Sequence, residues 1–308
     1  MDLKNLRYFA EVVRHGSITR AAVQLRVTQP ALSRQVRMLE EELGVSLLLR
    51  HRRGIQLTAE GTILAREADA ILRMAQNMRD EIQSLASEPT GKIRFGLNPS
   101  VGSLFAGDLI ARFLRKYPKV TFELREGYTQ DLRDDLLRDR LDLTIMHHQS
   151  HHPDLHRTPL FAEGMWLAGA PKLWPFGKAP LKPTQLAGLP LMHARYLRQF
   201  LEELGSSKLH FHSIIEGDAR YTTRIAALEG AGFLLAPASS VAEEIKKGEL
   251  RGAPVEGFVT ERSMFRRSDR PPSRATREFV EWIEASVRKL MKEKPTLLRE
   301  IKGADQAA

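Results

Sequence analysis

Apolar residues recur at helical spacing through the first ninety positions and in alternating strand and helix patterns after them, so the chain divides near residue 90 into two architectures. Leu3, Leu6, Phe9 and Val13 give one face of a first helix. Ser17 is a good N-cap, and Ile18, Ala21, Ala22 and Leu25 follow at i, i+3, i+4 and i+7, the alanines allowing a close crossing. Arg26-Val27 makes a turn. Thr28 caps a third helix with Pro30 in its first turn, where a missing N–H costs nothing, and Leu32, Val36, Leu39 and Leu43 form its buried stripe. Leu47 to Thr58 reads as a β-ribbon with a basic tip, Arg50-His51-Arg52-Arg53-Gly54. From Thr58 to about Ser87 a single long helix is predicted, interrupted by no proline. Its positions Leu64, Ala68, Ile71, Ala75, Met78, Ile82 and Leu85 are spaced 4-3-4-3-4-3, the a/d stripe of a helix that pairs with its twin. Packing of this helix on the chain's own later domain is the alternative, which more usually gives a wider 3.6-residue face.

The polar side of the third helix carries chemistry. Pro30, Ser33, Arg34 and Arg37 lie opposite the apolar stripe, with Thr28 at the cap and Gln29 on the flank. Arginine can fork onto guanine O6/N7 or grip phosphate, and glutamine can pair with adenine, so this surface suits the DNA major groove. Arg50, Arg52 and Arg53 on the ribbon tip would lie on phosphates or in the minor groove. An ordinary helical hairpin with a solvated charged turn is the bland reading of the same residues.

These segments resemble the N-terminal region of LysR-type transcriptional regulators. The resemblance is carried by Thr28-Gln29-Pro30-Ala31-Leu32-Ser33-Arg34-Gln35, Leu39-Glu40, Leu43-Gly44, Leu48, Arg50 and Leu57-Thr58-Ala59-Glu60-Gly61, and continues more loosely to about Leu290. Leu49 departs from it, since the family commonly has an aromatic there, which affects packing rather than reading. The resemblance implies that Gln29, Ser33, Arg34, Arg50 and Arg53 contact DNA. It also implies a periplasmic-binding-protein-like effector domain, with a small organic acid or aromatic compound in its interlobe cleft.

Ser87-Glu88-Pro89-Thr90-Gly91 is a polar breaker stretch and the expected linker. Beyond it, strand 92–97, helix 102–116, strand 120–124, helix 129–140 and strand 141–146 alternate as βαβαβ, which implies a mostly parallel sheet. A second lobe follows: strands 164–168 and 189–192, helix 197–204, strand 210–215, helix 222–229 and strand 232–236. Met264-Phe265-Arg266 would return to the first lobe and helix 273–291 would close it, with crossings near 160 and 262. The fold expected is therefore mixed: a winged helix-turn-helix over 1–57, a linker and dimerisation helix with hinge over 58–90, and a two-lobed α/β effector domain over 91–291. In that domain lobe I is about 91–160 and 263–291, and lobe II about 161–262. Residues 292–308 lack periodicity and read as a flexible tail.

Ligands of open α/β sheets bind beyond the carboxyl ends of strands, often at helix N-termini. That rule selects Asn98, Pro99, Ser100 and Val101, then Thr129 and His147, and in the second lobe His193, Arg195, Asp218, Thr222 and Pro237. Ser100, Thr129 and His147 lead, although the first two could simply be helix caps and Arg195 a solvated surface cation. Residues 146–156 hold five of the ten histidines, His147, His148, His151, His152 and His156. Such a cluster invites a metal, but Pro153 and the loop position argue against a helical ligand face, so no metal site and no cofactor is assigned.

Composition narrows the function classes. The net charge is +9, and residues 1–57 hold ten Lys/Arg against five Asp/Glu, a net of +5, so more than half of the excess sits where DNA should bind. The absence of cysteine excludes thiol redox sensing and cysteine-based metal sites. No apolar run approaches the roughly 18 residues that span a bilayer and no signal peptide is evident, which points to the cytoplasm and away from the membrane. There is no G-x-S-x-G, Walker-type, H-E-x-x-H or G-x-G-x-x-G motif in the required context, so an enzyme is not expected. The reading is a ligand-responsive regulator that binds inverted-repeat operator half-sites in double-stranded DNA as a homodimer, assembled further as a tetramer, and that alters polymerase contact when the effector binds. A solute-binding module and an architectural DNA-binding protein without effector are the alternatives.

Overall fold

Local capping explains where the first helices begin and end. In the computed structural model, which describes all residues except 52–53, 85–87, 148–151, 178, 199–200, 202–209, 296 and 302–308, α1 spans Leu3–His15, α2 Ile18–Leu25 and α3 Gln29–Leu43. Asp2, Ser17 and Thr28 accept from the backbone N–H three residues on, filling donors that the first turn leaves open. The α2–α3 turn is made by Arg26 at φ 54°, a left-handed residue that is not glycine.

The core of this first unit joins Phe9, Val12, Ile18, Ala21, Ala22, Leu32, Val36, Leu39, Leu47 and Leu48. Two stripes differ from expectation at their ends. Leu3 and Leu43 are largely exposed, and Val12 rather than Val13 is the fully buried valine, because the rotation from Phe9 brings i+3 inward here. The ribbon forms as β1 Leu48–His51 and β2 Gly54–Leu57, antiparallel, from Leu48↔Leu57 to His51↔Gly54. Glu40 anchors its base by accepting from the Leu47 and Leu48 N–H groups at 2.8 and 3.2 Å. Helix α4 spans Ala59–Ser84, with the Thr58 hydroxyl accepting from Gly61 N–H at 2.9 Å. Gly61 is required, since a Cβ there would stand 2.0 Å from the Leu47 carbonyl oxygen.

The second unit begins at Lys92. Among the described residues its sheet has nine strands in the order β4-β3-β5-β10-β6-β9-β7-β8, with β11 against β6. The strands are β3 Gly91–Leu97, β4 Val120–Glu126, β5 Leu143–His147, β6 Leu155–Gly169, β7 Pro190–His193, β8 His212–Glu216, β9 Phe233–Pro237, β10 Arg251–Arg267 and β11 Leu298–Arg299. Parallel pairs β3/β5, β7/β8 and β7/β9 flank two long antiparallel strands. The chain passes between the lobes inside two long strands: β6 and β10 pair from Leu155↔Arg267 to Gly169↔Arg251 and run through both lobes, so the expected crossings near 160 and 262, the strand 164–168 and the segment 264–266 all fall within these strands.

Two apolar cores still mark two lobes. Phe95, Phe113, Phe161 and Phe279 lie in one, and Leu167, Leu191, Phe233 and Phe258 in the other. The helical path after β3 runs as Pro99–Val101, a π-helical turn Gly102–Ala106 and Gly107–Lys116, together α5. Then come α6 Thr129–Leu137, α7 Arg220–Glu229, α8 Ala242–Lys247 and α9 Arg274–Glu293. The tail does not fray at once after α9, because Leu298 is buried in the first-lobe core and β11 pairs with Ala162 and Glu163 of β6.

Candidate nucleic-acid interface and effector cleft

The cap, turn and stripe of α3 leave Thr28, Gln29, Pro30, Arg34 and Arg37 exposed on one side. Neither arginine has an acidic residue within ion-pair distance among the described residues, so both guanidinium groups are available to a partner. Ser33 differs from the expectation for it: it is 8% exposed, turned toward the core beside Leu32 and Val36. Arg50 occupies the β1 strand opposite Ile55, and Arg52 and Arg53 lie outside the described residues. On α4, Ala68 is buried and Leu64 and Ala75 are half-buried, whereas Ile71, Met78 and Ile82 are exposed. Met74, exposed beside them, widens that apolar face, and Leu85 lies outside the described residues.

In the second unit the carboxyl ends of β3, β5 and β9 converge on a cleft of about 650 Å³, counting its open mouth. Of the residues selected from sequence, Asn98, Pro99, Ser100, His147, Asp218 and Pro237 line it. Asn98 acts there as a staple, since its amide donates to the Gly127 carbonyl and its oxygen accepts from His147 N–H. Five others are placed elsewhere. Val101 is in the lobe I core. Thr129 is buried off the cleft, because Tyr128 takes the N-cap position expected of it. His193 is buried with its ring nitrogens against Ala194 O and Ser213 Oγ. Arg195 is a largely exposed cation 3.9 Å from Asp218. Thr222 is exposed, and its neighbour Thr223 lines the cleft instead, one helical step round.

The root of the cleft holds a polar knot that the sequence did not reveal. Arg262 of β10 is fully buried and meets Glu163 of β6, also buried, at 2.9 Å. The same guanidinium donates to Ser100 Oγ at 3.0 Å, to Thr260 Oγ1 at 2.9 Å and to His147 Nδ1. Glu163 in turn accepts from Ser239 N–H at 3.2 Å. Because a guanidinium only donates, His147 Nδ1 is an acceptor and the ring proton sits on Nε2. Burial, and then the adjacent Arg262 charge, hold the His147 pKa well below the ordinary imidazole value. The Tyr196 ring lies 4.2 Å from the His147 ring. Higher in the cleft the lobes touch directly: the Tyr128 hydroxyl donates to the Asp218 carbonyl, and Arg220 Nη1 donates to Pro99 O and Ser103 Oγ, both at 2.8 Å. Arg224 pairs with Glu244. A charged residue in mid-strand was the available signal for Glu163 and Arg262, but alternation alone assigns such a residue to solvent.

A pH dependence follows. Below the ordinary imidazole pKa of about 6.5 the unfolded chain binds a proton at His147 that the folded chain refuses, so this group makes stability fall as pH drops through that value. His147→Gln is expected to flatten the acid-side decline of urea-unfolding stability between about pH 7 and 5. An identical decline in both proteins would remove His147 from the account.

Of the histidine-rich segment, His148 and His151 lie outside the described residues, and no cluster of three or more potential metal ligands occurs among the described ones. No described helix is long and apolar enough to cross a membrane.

A capped helix pair with a ribbon wing, followed by a two-lobed domain with a polar cleft, defines a DNA-binding regulator that responds to a small molecule. Residues 3–62 match the family model described as bacterial regulatory helix-turn-helix protein, lysR family, and residues 86–288 match the LysR substrate binding domain. The chain belongs to the LysR family of transcriptional regulators. It is 29% identical over 294 residues to the HTH-type transcriptional regulator BbuR of Bordetella bronchiseptica, covering 94% of this chain and 90% of that one. It is likewise 29% identical over 223 residues to TdcA of Escherichia coli K12, covering 71% and 72% of the two chains. A full-length OxyR variant from Pseudomonas aeruginosa superposes with a TM-score of 0.71 at 25% identity, over 94% of this chain and 95% of that one. Full-length CbnR in complex with its target DNA shares the fold with a TM-score of 0.68 at 24% identity, over 93% and 100%.

Proposed function

We propose that this regulator reads its operator with the N-terminal half of α3 and the basic wing, and that a small organic acid or aromatic compound bound between the lobes controls it. The observation that carries the effector reading is the cleft itself: its walls come from both lobes, and Tyr128 and Arg220 bridge them. A ligand there changes interlobe contacts directly, which is what a population shift between open and closed lobes requires. Thr28, Gln29, Pro30, Arg34 and Arg37 form the base- and phosphate-contacting face, with Arg50, Arg52 and Arg53 as the wing contacts. The exposed apolar face of α4, Ile71, Met74, Met78 and Ile82, supports pairing of two copies through this helix. Two DNA heads held this way suit inverted half-sites about one helical turn apart. Assembly of two such dimers into a tetramer, contact with RNA polymerase, action in the cytoplasm and the lack of any enzymatic activity complete the reading.

The test is a thermal-shift screen of the full-length protein against small carboxylates, aromatics, amino acids and divalent metals, followed by DNA footprinting with each compound that raises the melting temperature. The expected result is one compound class whose shift is lost in Ser100→Ala and which alters the footprint. A footprint unaltered by every binding compound would favour architectural DNA binding without an effector.

A further inference from the structure

Among the described residues, each charge around the cleft has an opposite partner except one. Arg262 faces Glu163, Arg224 faces Glu244, and Asp218 faces Arg195. Arg220, the first residue of α7, reaches across from lobe II, and the partners of its Nη1 are neutral: a carbonyl and a hydroxyl. Among the described residues its Nη2 and Nε have no hydrogen-bond acceptor, and no carboxylate lies within ion-pair distance of it. Burial lowers its pKa, and Glu126 and Glu244 offset that only at longer range. A half-buried guanidinium with three N–H groups to spare, at the rim of a ligand cleft, is matched by a planar carboxylate. The same cleft is also lined by the apolar surfaces of Tyr128, Tyr196, Leu234 and Pro237. Next to the Pro99 carbonyl that Arg220 holds, Ser100 Oγ already accepts from Arg262, so its own proton remains to donate to a neutral acceptor.

We propose that Arg220 is the specificity-determining residue of the cleft, holding the carboxylate of a small monocarboxylic acid whose apolar body lies against Tyr128 and Tyr196. This rests on the reading of the cleft as the effector site. It also assigns the acid end to the Arg220 bridge beside the start of α5 rather than to the buried knot, which is already charge-neutral. The carboxylate takes the Nη2 and Nε hydrogens while Nη1 keeps Pro99 O and Ser103 Oγ, so occupancy adds a ligand to an existing interlobe bridge.

The probes are phenylacetate and hexanoate, each paired with its primary amide and titrated calorimetrically into the full-length protein, Arg220→Gln and Ser103→Ala. In the unsubstituted protein at least one acid is expected to bind about tenfold or more tighter than its amide, the effect of one charge-assisted contact. In Arg220→Gln that preference should shrink to within about twofold, chiefly by weakening of the acid. Ser103→Ala, which removes one bridging acceptor and keeps the cation, should retain it. Loss of fold in Arg220→Gln would leave the acid-to-amide preference of the other two proteins as the deciding result. An undiminished preference in folded Arg220→Gln overturns the proposal, as does binding of amide and acid alike or failure of both acids. If neutral compounds then bind and their binding is lost in Ser100→Ala, the effector cleft stands without its acid specificity. If no compound of any class binds, the effector reading falls as well.

Discussion

Arg262→Ala is expected to lower the unfolding free energy by about 3–5 kcal/mol, measured as a shift of the urea midpoint of the full-length protein. Arg262 is 0% exposed and Glu163 1%. Removing the guanidinium therefore leaves a carboxylate in a site that water does not reach, and also deprives Ser100, Thr260 and His147 of their shared donor. A buried ion pair adds little against a well-packed apolar pair, since desolvation offsets most of the attraction, but breaking one side is costly. The paired change Arg262→Met with Glu163→Leu should accordingly recover a large part of the loss. A decrease under about 1 kcal/mol for Arg262→Ala would mean that Glu163 finds water or a proton at little cost, and the knot would not be a rigid pivot. The position gives the loss a functional side. Both residues lie on the strands that run through the two lobes, and their hydrogen bonds reach α5 on one side and the turn after β9 on the other. A variant that folds but loses this pair should also lose its response to any compound bound in the cleft.

The DNA-binding unit was legible in sequence because everything that specifies it is local. Ser17 and Thr28 act on N–H groups three residues away, and the stripes of α2 and α3 repeat within a few turns, so caps and faces can be read from neighbours. The few errors there, Leu3, Leu43 and Ser33, are questions of a fraction of a turn at helix ends and flanks. The effector domain mixes local and distant causes. The rule that ligands meet strand ends found Ser100, His147 and Pro237, because the ends of β3, β5 and β9 are local features. It failed wherever a helix start was misplaced: α7 begins at Arg220, not Thr222, and α6 is capped at Tyr128, so the side chains that face the cleft were shifted by one or two positions. The central pair could not be found this way at all. Glu163 and Arg262 are about a hundred residues apart, and each is an isolated charge in a strand whose burial is decided by the other. β11 is similar, since a short strand with no pattern of its own becomes ordered by the edge of β6 that it meets.

Arg34→Ala should weaken specific operator binding by about 1–3 kcal/mol, or roughly 5- to 150-fold, in a titration at fixed salt. The residue sits one turn into α3 on its exposed side, on the helix that enters the major groove in this class of motif. It has no intramolecular ion pair among the described residues, so its removal should leave the melting temperature within the small range of ordinary surface changes. Arg37, one turn further on, provides the contrast. If Arg34 reads a base edge, its loss should relax sequence preference at one position, whereas loss of a phosphate contact at Arg37 should weaken all sequences about equally and reduce the salt dependence by about one ion. Equal losses on operator and random DNA for Arg34→Ala would move it to the backbone and leave base reading to Gln29 and the wing. An operator affinity unchanged by Arg34→Ala would remove it from the interface, and with it the orientation of α3 assumed for this protein.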